Sequence, residues 1–337
     1  INLFLLYILK QKFNDYMRSI PSNLLDLTKI LNDLEYHDGD SLGEALGMTR
    51  SGVWKMIKKL EDYGIQIESV KSKGYKFQEE LALLDYNVLS DKIPANLEVF
   101  ENIDSTNTHI KKYIGDKSPW ICVSETQENG KGRLGRSWQS PFGQNLYFSV
   151  LYPFKKDISE LLGLSLVTAL SIIQTLEEDL EIKADIKAKW PNDIVLGGKK
   201  LAGILTEIYS EANGTSYAVI GVGLNVNMIS QGDIDQPWTS LKLMTQSHYN
   251  RNEMLALIVE NLLGDLEIFA NYGFENFRKS WFAKDALLGQ KVSLLHNNTL
   301  VSGKAIGISE LGNLLLEVDK EIKSFSSGDA YLSKSLQ

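Results

Sequence analysis

Three glycines, Gly130, Gly132 and Gly135, alternate with Lys131, Arg133 and Arg136 in the stretch ENGKGRLGRSW. The spacing G-x-G-x-x-G is that of a dinucleotide-binding turn, which needs a helix straight afterwards to meet a pyrophosphate. Here RSWQSPFGQNLYFSV follows, with a turn at Pro141 and Gly143 and then strand-like alternation. The acid expected about 20 residues on is absent; LYPFKK stands there. The dinucleotide reading therefore fails on context, and a flexible cationic loop between two strands remains. Its glycines let backbone approach a ligand closely. Arg133 and Arg136 can each grip a phosphate through paired hydrogen bonds, and Trp138 can stack on an adenine or shield a reactive intermediate. Such a loop suits an acyl-adenylate, from which water must be kept. A solvent-exposed basic hairpin is the plainer alternative.

Other stretches weaken that alternative. In KWPND, Lys189 follows a strand and precedes Trp190 and Pro191. Its ammonium is thus held in place, where it could polarise a carboxylate or a phosphate oxygen. Asn192 and Asp193 could help place Mg2+ or only shape a turn. Gly203 in KKLAGILTE and Gly221 and Gly223 in GVGLNVN fall inside strands. A strand glycine costs stability and marks close approach of a ligand or of neighbouring backbone.

Taken in order, DSTN (Asp104 to Asn107), QENGKGRLGRSW, SPFGQNLYFS, KWPND, KLAGIL and GVGLNVN resemble the biotin protein ligases, over nearly all of the chain from about residue 22. The stretch SLGEALGMTRSGVWKMIKKLEDYGI makes the chain similar to the bifunctional subclass, in which the ligase is also the biotin operon repressor. The resemblance implies that Ser105, Thr106, Asn107 and Gln127 bind biotin, together with Lys131, Gly132, Arg133, Lys189 and the glycines 203, 221 and 223. It implies that Arg136, Trp138, Asn192 and Asn225 lie on the ATP or adenylate side, with the region of Trp238 nearby. Arg133 and Lys189 would stabilise the charge that develops as the biotin carboxylate attacks ATP. ATP, Mg2+ (with Asp193 as a candidate contact) and biotin would be the ligands. The partners would be the biotin carboxyl carrier protein, operator DNA and, with adenylate bound, a second copy of the chain. The family commonly has Arg where Lys131 stands, so a bidentate contact from that side chain is lost.

Positioning these residues requires several elements. The resemblance implies an α+β multidomain chain: a winged helix-turn-helix over 21–80, a mixed α/β ligase domain over 83–285 and a small SH3-like barrel over 287–337. The pattern alone supports each. LLDLTKILNDL carries Leu24, Leu27, Ile30, Leu31 and Leu34 on one helical face. Ser41 with Glu44 reads as a capping box, Thr49 opens a second helix, and Gly64 ends it. IQIESV and GYKF alternate as a hairpin across KSKG. LEVFENI, WICVSETQ, LYFSVLYP, IKAKW, DIVLGGKKLAGILTEIYS and YAVIGVGLNVN read as strands. ISELLGLSLVTALSIIQTLEEDL and NEMLALIVENLLGDLEIFANYG read as long helices. Close turn signals at Asn297-Asn298 and Leu311-Gly312-Asn313 point to a small barrel.

The outward face of the second helix bears Arg50, Ser51, Trp54, Lys55 and Lys58, and the hairpin adds Lys71, Lys73 and Lys76. Between residues 41 and 78, seven Lys/Arg stand against four acids, a difference of +3, in a chain whose total is −8. Positive charge confined to the elements that should touch DNA is the footprint of phosphate contacts, although a solvated basic face would look alike. The single cysteine, Cys122, excludes an intramolecular disulfide and suits a reducing cytoplasm; a packed thiol is expected. The four histidines are scattered, which argues against a metal site. The apolar run in INLFLLYILK is too short to span a bilayer; a packed helix, or a start at Met17, is expected instead. A lipoate ligase and a ligand-sensing repressor without catalysis remain as alternatives.

Overall fold

In a computed structural model, the structure describes residues 22–332 apart from 212–213, 231–233, 235 and 297–298. The expectations for residues 1–20 and for the turn at Asn297-Asn298 lie outside the described residues.

The first unit contains helices Ser22–Leu31, Gly39–Ala45 and Arg50–Asp62, then the antiparallel pair β1 (Ile67–Val70) and β2 (Gly74–Phe77). Its core is the apolar face read from the sequence: Leu24, Leu27 and Leu31 meet Val53, Ile57 and Leu60, all buried. Thr49 caps the third helix by accepting from the Gly52 N–H. The capping box at Ser41 is not formed. Asp38 caps instead, its carboxylate accepting from the Asp40 and Ser41 N–H groups, so the helix starts earlier, at Gly39.

The central unit is a seven-stranded sheet in the order β3-β4-β5-β9-β8-β7-β6. Its strands are β3 (Asn96–Ile103), β4 (Trp120–Gln127), β5 (Leu146–Phe154), β6 (Ile186–Lys189), β7 (Asp193–Leu196), β8 (Lys199–Ser210) and β9 (Ser216–Leu224). Only β3 and β4 run parallel; the other pairs are antiparallel, so the sheet is mixed. Strand β9 shows how the two faces divide. Ala218, Ile220, Val222 and Leu224 join the main core with helices Leu164–Gln174 and Arg251–Tyr272. Tyr217 and Val219 pack in a second cluster on the opposite face, where Gly221 and Gly223 also lie.

Two expected elements are divided. The run 158–180 is a short 3-10 turn (Ile158–Leu161), the helix Leu164–Gln174 and a π turn (Thr175–Asp179). Gly163, at φ +86°, breaks it, a conformation glycine adopts without strain. By length and composition Ile158–Asp179 could cross a membrane, but it is mostly buried within the protein. The expected strand over 193–210 is a hairpin, because Gly197 and Gly198 both take positive φ and turn the chain between β7 and β8.

The last unit holds β10 (Lys291–His296), β11 (Thr299–Ile308), β12 (Leu314–Val318), β13 (Glu321–Phe325) and β14 (Asp329–Leu332), an antiparallel sheet in the order β13-β12-β11-β10-β14. No ladder joins β13 to β14 among the described residues, so the described sheet is not closed into a barrel. Val292, Leu294, Leu314 and Leu316 continue the main core into this sheet.

Candidate active site

A cleft opens on the glycine-bearing face of the central sheet. Cross-strand register places its floor: Lys189 pairs with Asp193, Asp193 with Gly203, and Gly203 with Gly223. One line across β6, β7, β8 and β9 therefore presents a cation, a carboxylate and two bare backbone positions on one face. In the next row on the same face, Leu205 faces Gly221, and Gly221 faces Ser149 of β5.

The glycines are needed sterically. A Cβ on Gly221 would stand 2.1 Å from Asn107 Oδ1, and one on Gly223 would stand 2.3 Å from Trp138 Cε2. At Gly203 the same carbon would come within 2.9 Å of Trp138 Cζ3. The strand glycines thus seat two site side chains, Asn107 at one end of the cleft and Trp138 at the other.

At the Asn107 end the polar groups are tightly held. Ser105, Thr106 and Asn107 begin a short helix (Thr106–Ile110) and are all buried. The Thr106 N–H donates to Gln127 Oε1 at 3.0 Å, and Gln127 Nε2 donates to Ser140 Oγ at 3.1 Å. Asn107 Nδ2 donates to Leu205 O (3.3 Å) and Glu207 Oε2 (3.1 Å), and Lys111 Nζ holds the other Glu207 oxygen at 2.8 Å. The Ser149 hydroxyl lies 2.6 Å from Asn107 Oδ1, which fixes the orientation of that amide. The result is a buried, pre-oriented set of donors and acceptors for a small polar ring.

The cationic loop lies over the cleft as a small closed hairpin. Gly132 N donates to Arg136 O and Trp138 N to Gly130 O, both at 2.7 Å, with Lys131 bridging Ser137 between them. No long helix follows: a three-residue 3-10 turn (Arg133–Gly135) contains Leu134 at φ +56°. Lys131 reaches Thr108 Oγ1 at 2.8 Å, and Arg133 reaches Asn192 Oδ1 at 3.1 Å. Arg136 pairs with Asp329 on β14, and Arg133 lies 3.8 Å from the same carboxylate. Lys189 Nζ stands 6.0 Å from the Tyr331 ring centroid. The C-terminal sheet therefore forms one wall of the cleft.

The structure gathers Ser105, Thr106, Asn107, Gln127, Lys131, Gly132, Arg133, Arg136, Trp138, Lys189, Asn192, Asp193, Gly203, Gly221 and Gly223 around one cavity. Asn225 is not among its lining residues. It is buried beside it, where its Nδ2 donates to Thr239 O and its N–H to Leu201 O. Trp238 is likewise outside, paired by its backbone with Lys200. Asp193 lines the cavity and is bound there to Lys200 Nζ at 2.9 Å. Among the described residues no cluster of three or more His, Cys, Asp or Glu side chains could hold a metal ion. Lys200, Gln236, Asp329 and Tyr331 also line the cavity and were not singled out in the sequence. Cys122 is buried in the small cluster on the same face of the sheet, and burial pushes its thiol well above the usual range.

On the N-terminal unit, Arg50, Ser51, Trp54, Lys55 and Lys58 are exposed on one face of helix Arg50–Asp62. Arg50 reaches Asp40 at 3.2 Å, and Lys73 lies over the Tyr36 ring at 5.0 Å. The outward face of this helix thus carries basic side chains and one exposed tryptophan.

Three family models match: a helix-turn-helix domain over residues 23–76, the biotin/lipoate A/B protein ligase family over 99–225, and the biotin protein ligase C-terminal domain over 287–333. The bifunctional ligase/repressor BirA of Salmonella typhimurium is 36% identical over 313 residues, 91% of this chain and 97% of the relative. That of Escherichia coli K12 is 34% identical over 313 residues, 91% of this chain and 96% of the relative. Among solved structures, a biotin protein ligase from Aquifex aeolicus in complex with biotin and ATP matches with a TM-score of 0.61 and 32% identity, covering 71% of this chain and 99% of the other.

Proposed function

The chain belongs to the biotin/lipoate A/B protein ligase family, and from that premise we propose that it is a bifunctional biotin ligase and repressor. It activates biotin with ATP to biotinyl-5′-AMP and transfers the biotinyl group to a lysine of the biotin carboxyl carrier protein of acetyl-CoA carboxylase. With the adenylate as corepressor it binds operator DNA through the helix-turn-helix unit and shuts down biotin synthesis genes. The single observation that carries the ligase reading is the cleft itself. A buried polar ring site at Asn107 and a cation-lined, glycine-floored slot at Lys189 and Trp138 lie in one continuous cavity.

In the first step a biotin carboxylate oxygen attacks the α-phosphorus of ATP, and pyrophosphate leaves. Thr106, Asn107 and Gln127 hold the ureido ring, with their own hydrogen bonds already fixing their orientations. Lys189 sits at the junction of carboxylate and α-phosphate, and Arg133 closes from the loop. Both face negative charge that grows in the transition state, where fixed cations act without reorganising. Trp138 and Arg136 border the adenosine side. Mg2+ carried by the nucleotide would neutralise part of the charge on its phosphates. In the second step the acceptor lysine's neutral amine attacks the acyl carbon, AMP departs with the anhydride oxygen, and the amine's proton is lost. The enzyme supplies no nucleophile, consistent with the buried, unreactive Cys122.

Adenylate binding orders the loop and favours a cytoplasmic homodimer that reads a two-fold operator. The test is incubation with ATP, biotin and an acceptor domain. A biotin mass increment on one lysine is expected. Labelling by lipoate in place of biotin would establish the lipoate ligase, and no labelling at all would leave a repressor without catalysis.

A further inference from the structure

The buried amide of Asn107 is oriented from outside the cavity. Its Nδ2 faces two groups that can only accept, Leu205 O at 3.3 Å and Glu207 Oε2 at 3.1 Å. Glu207 lies two residues past Leu205 on the same face of β8. Its other oxygen accepts from Lys111 Nζ at 2.8 Å and lies 3.4 Å from the Tyr209 hydroxyl. Glu207 and Lys111 are not among the residues that line the cavity. The orientation of the amide nonetheless sets the direction of the hydrogen bonds that run from it into the site. Asn107 Oδ1 must accept, so the Ser149 hydroxyl, 2.6 Å away, gives it its single hydrogen. Ser149 Oγ stands 2.8 Å from Thr106 Oγ1, and the hydrogen on that link then comes from Thr106. With its hydrogen turned to Ser149, the Thr106 hydroxyl keeps its lone pairs for the cavity. Gln127 Oε1, 3.2 Å from that hydroxyl, accepts from the Thr106 N–H at 3.0 Å and has a lone pair to spare. Were the amide turned over, the chain would run the other way. Asn107 would donate to Ser149, Ser149 to Thr106 and Thr106 to Gln127 Oε1, and the acceptors open to a ligand would be used up.

We propose that Glu207, held by Lys111, is a positioning residue that fixes the direction of this hydrogen-bond chain and so makes the ring site an acceptor of ligand N–H groups. A cyclic urea, with two such groups, is the ring it suits. The inference rests on the biotin reading of this end of the cleft. The charge at 207 matters as much as its shape. Lys111 draws an oxygen toward its ammonium, because a charge-assisted bond is the stronger one. A glutamine at 207 would give that oxygen to Lys111 and turn its NH2 to Asn107 Nδ2, donor against donor. The buried amide then loses a partner, and the links to Ser149 and Thr106 lose the polarisation that a fully satisfied chain provides.

The test compares Glu207→Gln, Lys111→Met and the double variant with the wild type, as full chains. Biotin titration calorimetry gives the Kd, and biotin-dependent ATP–pyrophosphate exchange gives KM and kcat. The side-chain amide signal of Asn107 in 15N spectra, assigned by its loss in Asn107→Asp, reads the amide itself. Glu207→Gln is expected to raise the Kd and KM for biotin about five- to twentyfold, the span of one hydrogen bond to a charged group, with kcat and the KM for ATP little changed. Lys111→Met alone should weaken biotin binding less. The double variant should bind biotin more tightly than Glu207→Gln, because the glutamine is then free to give its oxygen to Asn107 and its NH2 to the Tyr209 hydroxyl. A side chain that only fills space would be replaced by glutamine without effect. The inference is overturned if Glu207→Gln binds biotin as the wild type does, if the double variant is no better than Glu207→Gln, or if kcat alone falls. A wild type that does not bind biotin would overturn the ligase reading instead. The Asn107 signal would then decide separately: hydrogen exchange at that amide should quicken in Glu207→Gln and slow again in the double variant, and an unchanged signal would remove Glu207 as its anchor.

Discussion

A single carbon atom separates two kinds of failure at the cleft floor. An alanine at 221 puts its methyl against the Asn107 amide, and an alanine at 223 puts it against the Trp138 indole. Both collisions are with site side chains, so each variant should fold while one end of the cleft changes. Gly221→Ala is expected to raise the KM for biotin at least tenfold with a smaller effect on ATP, and Gly223→Ala the reverse, for an overpacking cost of about 1–3 kcal/mol. Steady-state exchange kinetics check the pair, and equal effects on both substrates would mean that the two ends are not separate. The residues at these ends were legible because their types are improbable elsewhere: glycines inside strands, and a lysine locked between a strand and Trp-Pro. Lys200 opens the KLAGIL stretch, but its place in the cleft was not legible there. It follows Lys199, which is exposed, and only a bulge of β8 against β7 decides which of the two lysines enters the cleft. Asn225 misled for the opposite reason: it sits in the GVGLNVN motif, but β9 ends at Leu224 and the asparagine turns toward Thr239.

At the level of elements, strand β14 closes the cleft from a distance in sequence that no local pattern could bridge. Asp329 holds Arg136 and stands beside Arg133, so the loop over the cleft is tethered to the C-terminal sheet. Removing that charge should free the loop more than it weakens the fold, because Arg136 is largely exposed and an asparagine keeps the shape and an acceptor oxygen on the side of the pair that is buried. Asp329→Asn is therefore expected to speed limited trypsin cleavage after Arg133 or Arg136 severalfold while the melting temperature stays within about 2 °C; unchanged cleavage would dissociate the sheet from the loop. Elements with strong periodicity were readable, whereas their interruptions were set by backbone geometry. Gly163 divides the long apolar run, and Gly197-Gly198 folds one apparent strand into two. The junction into the last sheet carries a pH signature. Burial raises the Asp285 carboxyl above its ordinary value, although its Oδ1 accepts from the Leu287 N–H at 2.8 Å. A group whose folded pKa is raised gives its full stability below the unfolded value and loses it as the pH climbs through the folded one. Asp285→Asn keeps the acceptor and drops the charge. It should leave thermal stability unchanged near pH 3 and raise the melting temperature by about 2–4 °C at pH 7; a shift of equal size at both pH values would refute the assignment to burial.

For the whole molecule, the central question is whether the DNA-reading unit hangs on a tether or is braced against the ligase. Phe142, four residues beyond Trp138 in the sequence, is fully buried in the helix-turn-helix core with Leu60, Phe77 and Leu81. Its ring centroid lies 6.1 Å from that of Tyr63, which caps the end of helix Arg50–Asp62. The connector is fastened as well. Arg251, wholly buried, donates to Ala82 O at 2.8 Å and to Asn145 O at 3.0 Å, and pairs with Glu125 at 2.7 Å. Asn252 holds Leu83 O and the Asp85 N–H, both at 2.8 Å. Glu125 lies two residues before Gln127, so the brace and the Asn107 end of the cleft share one strand. None of this was legible in sequence, because an arginine opening a helix and a glutamate inside a strand only become a pair once the sheet and helix pack. The brace makes a sharp prediction. Arg251→Met strips the counter-charge from a buried carboxylate and abandons two carbonyls, which should cost about 3–5 kcal/mol. The double variant Arg251→Met with Glu125→Gln removes both charges and should recover a large part of that loss. Urea midpoints of the full chain measure both variants. If the double variant is no more stable than Arg251→Met alone, the cost lies in the lost carbonyl contacts to the connector and not in the stranded charge.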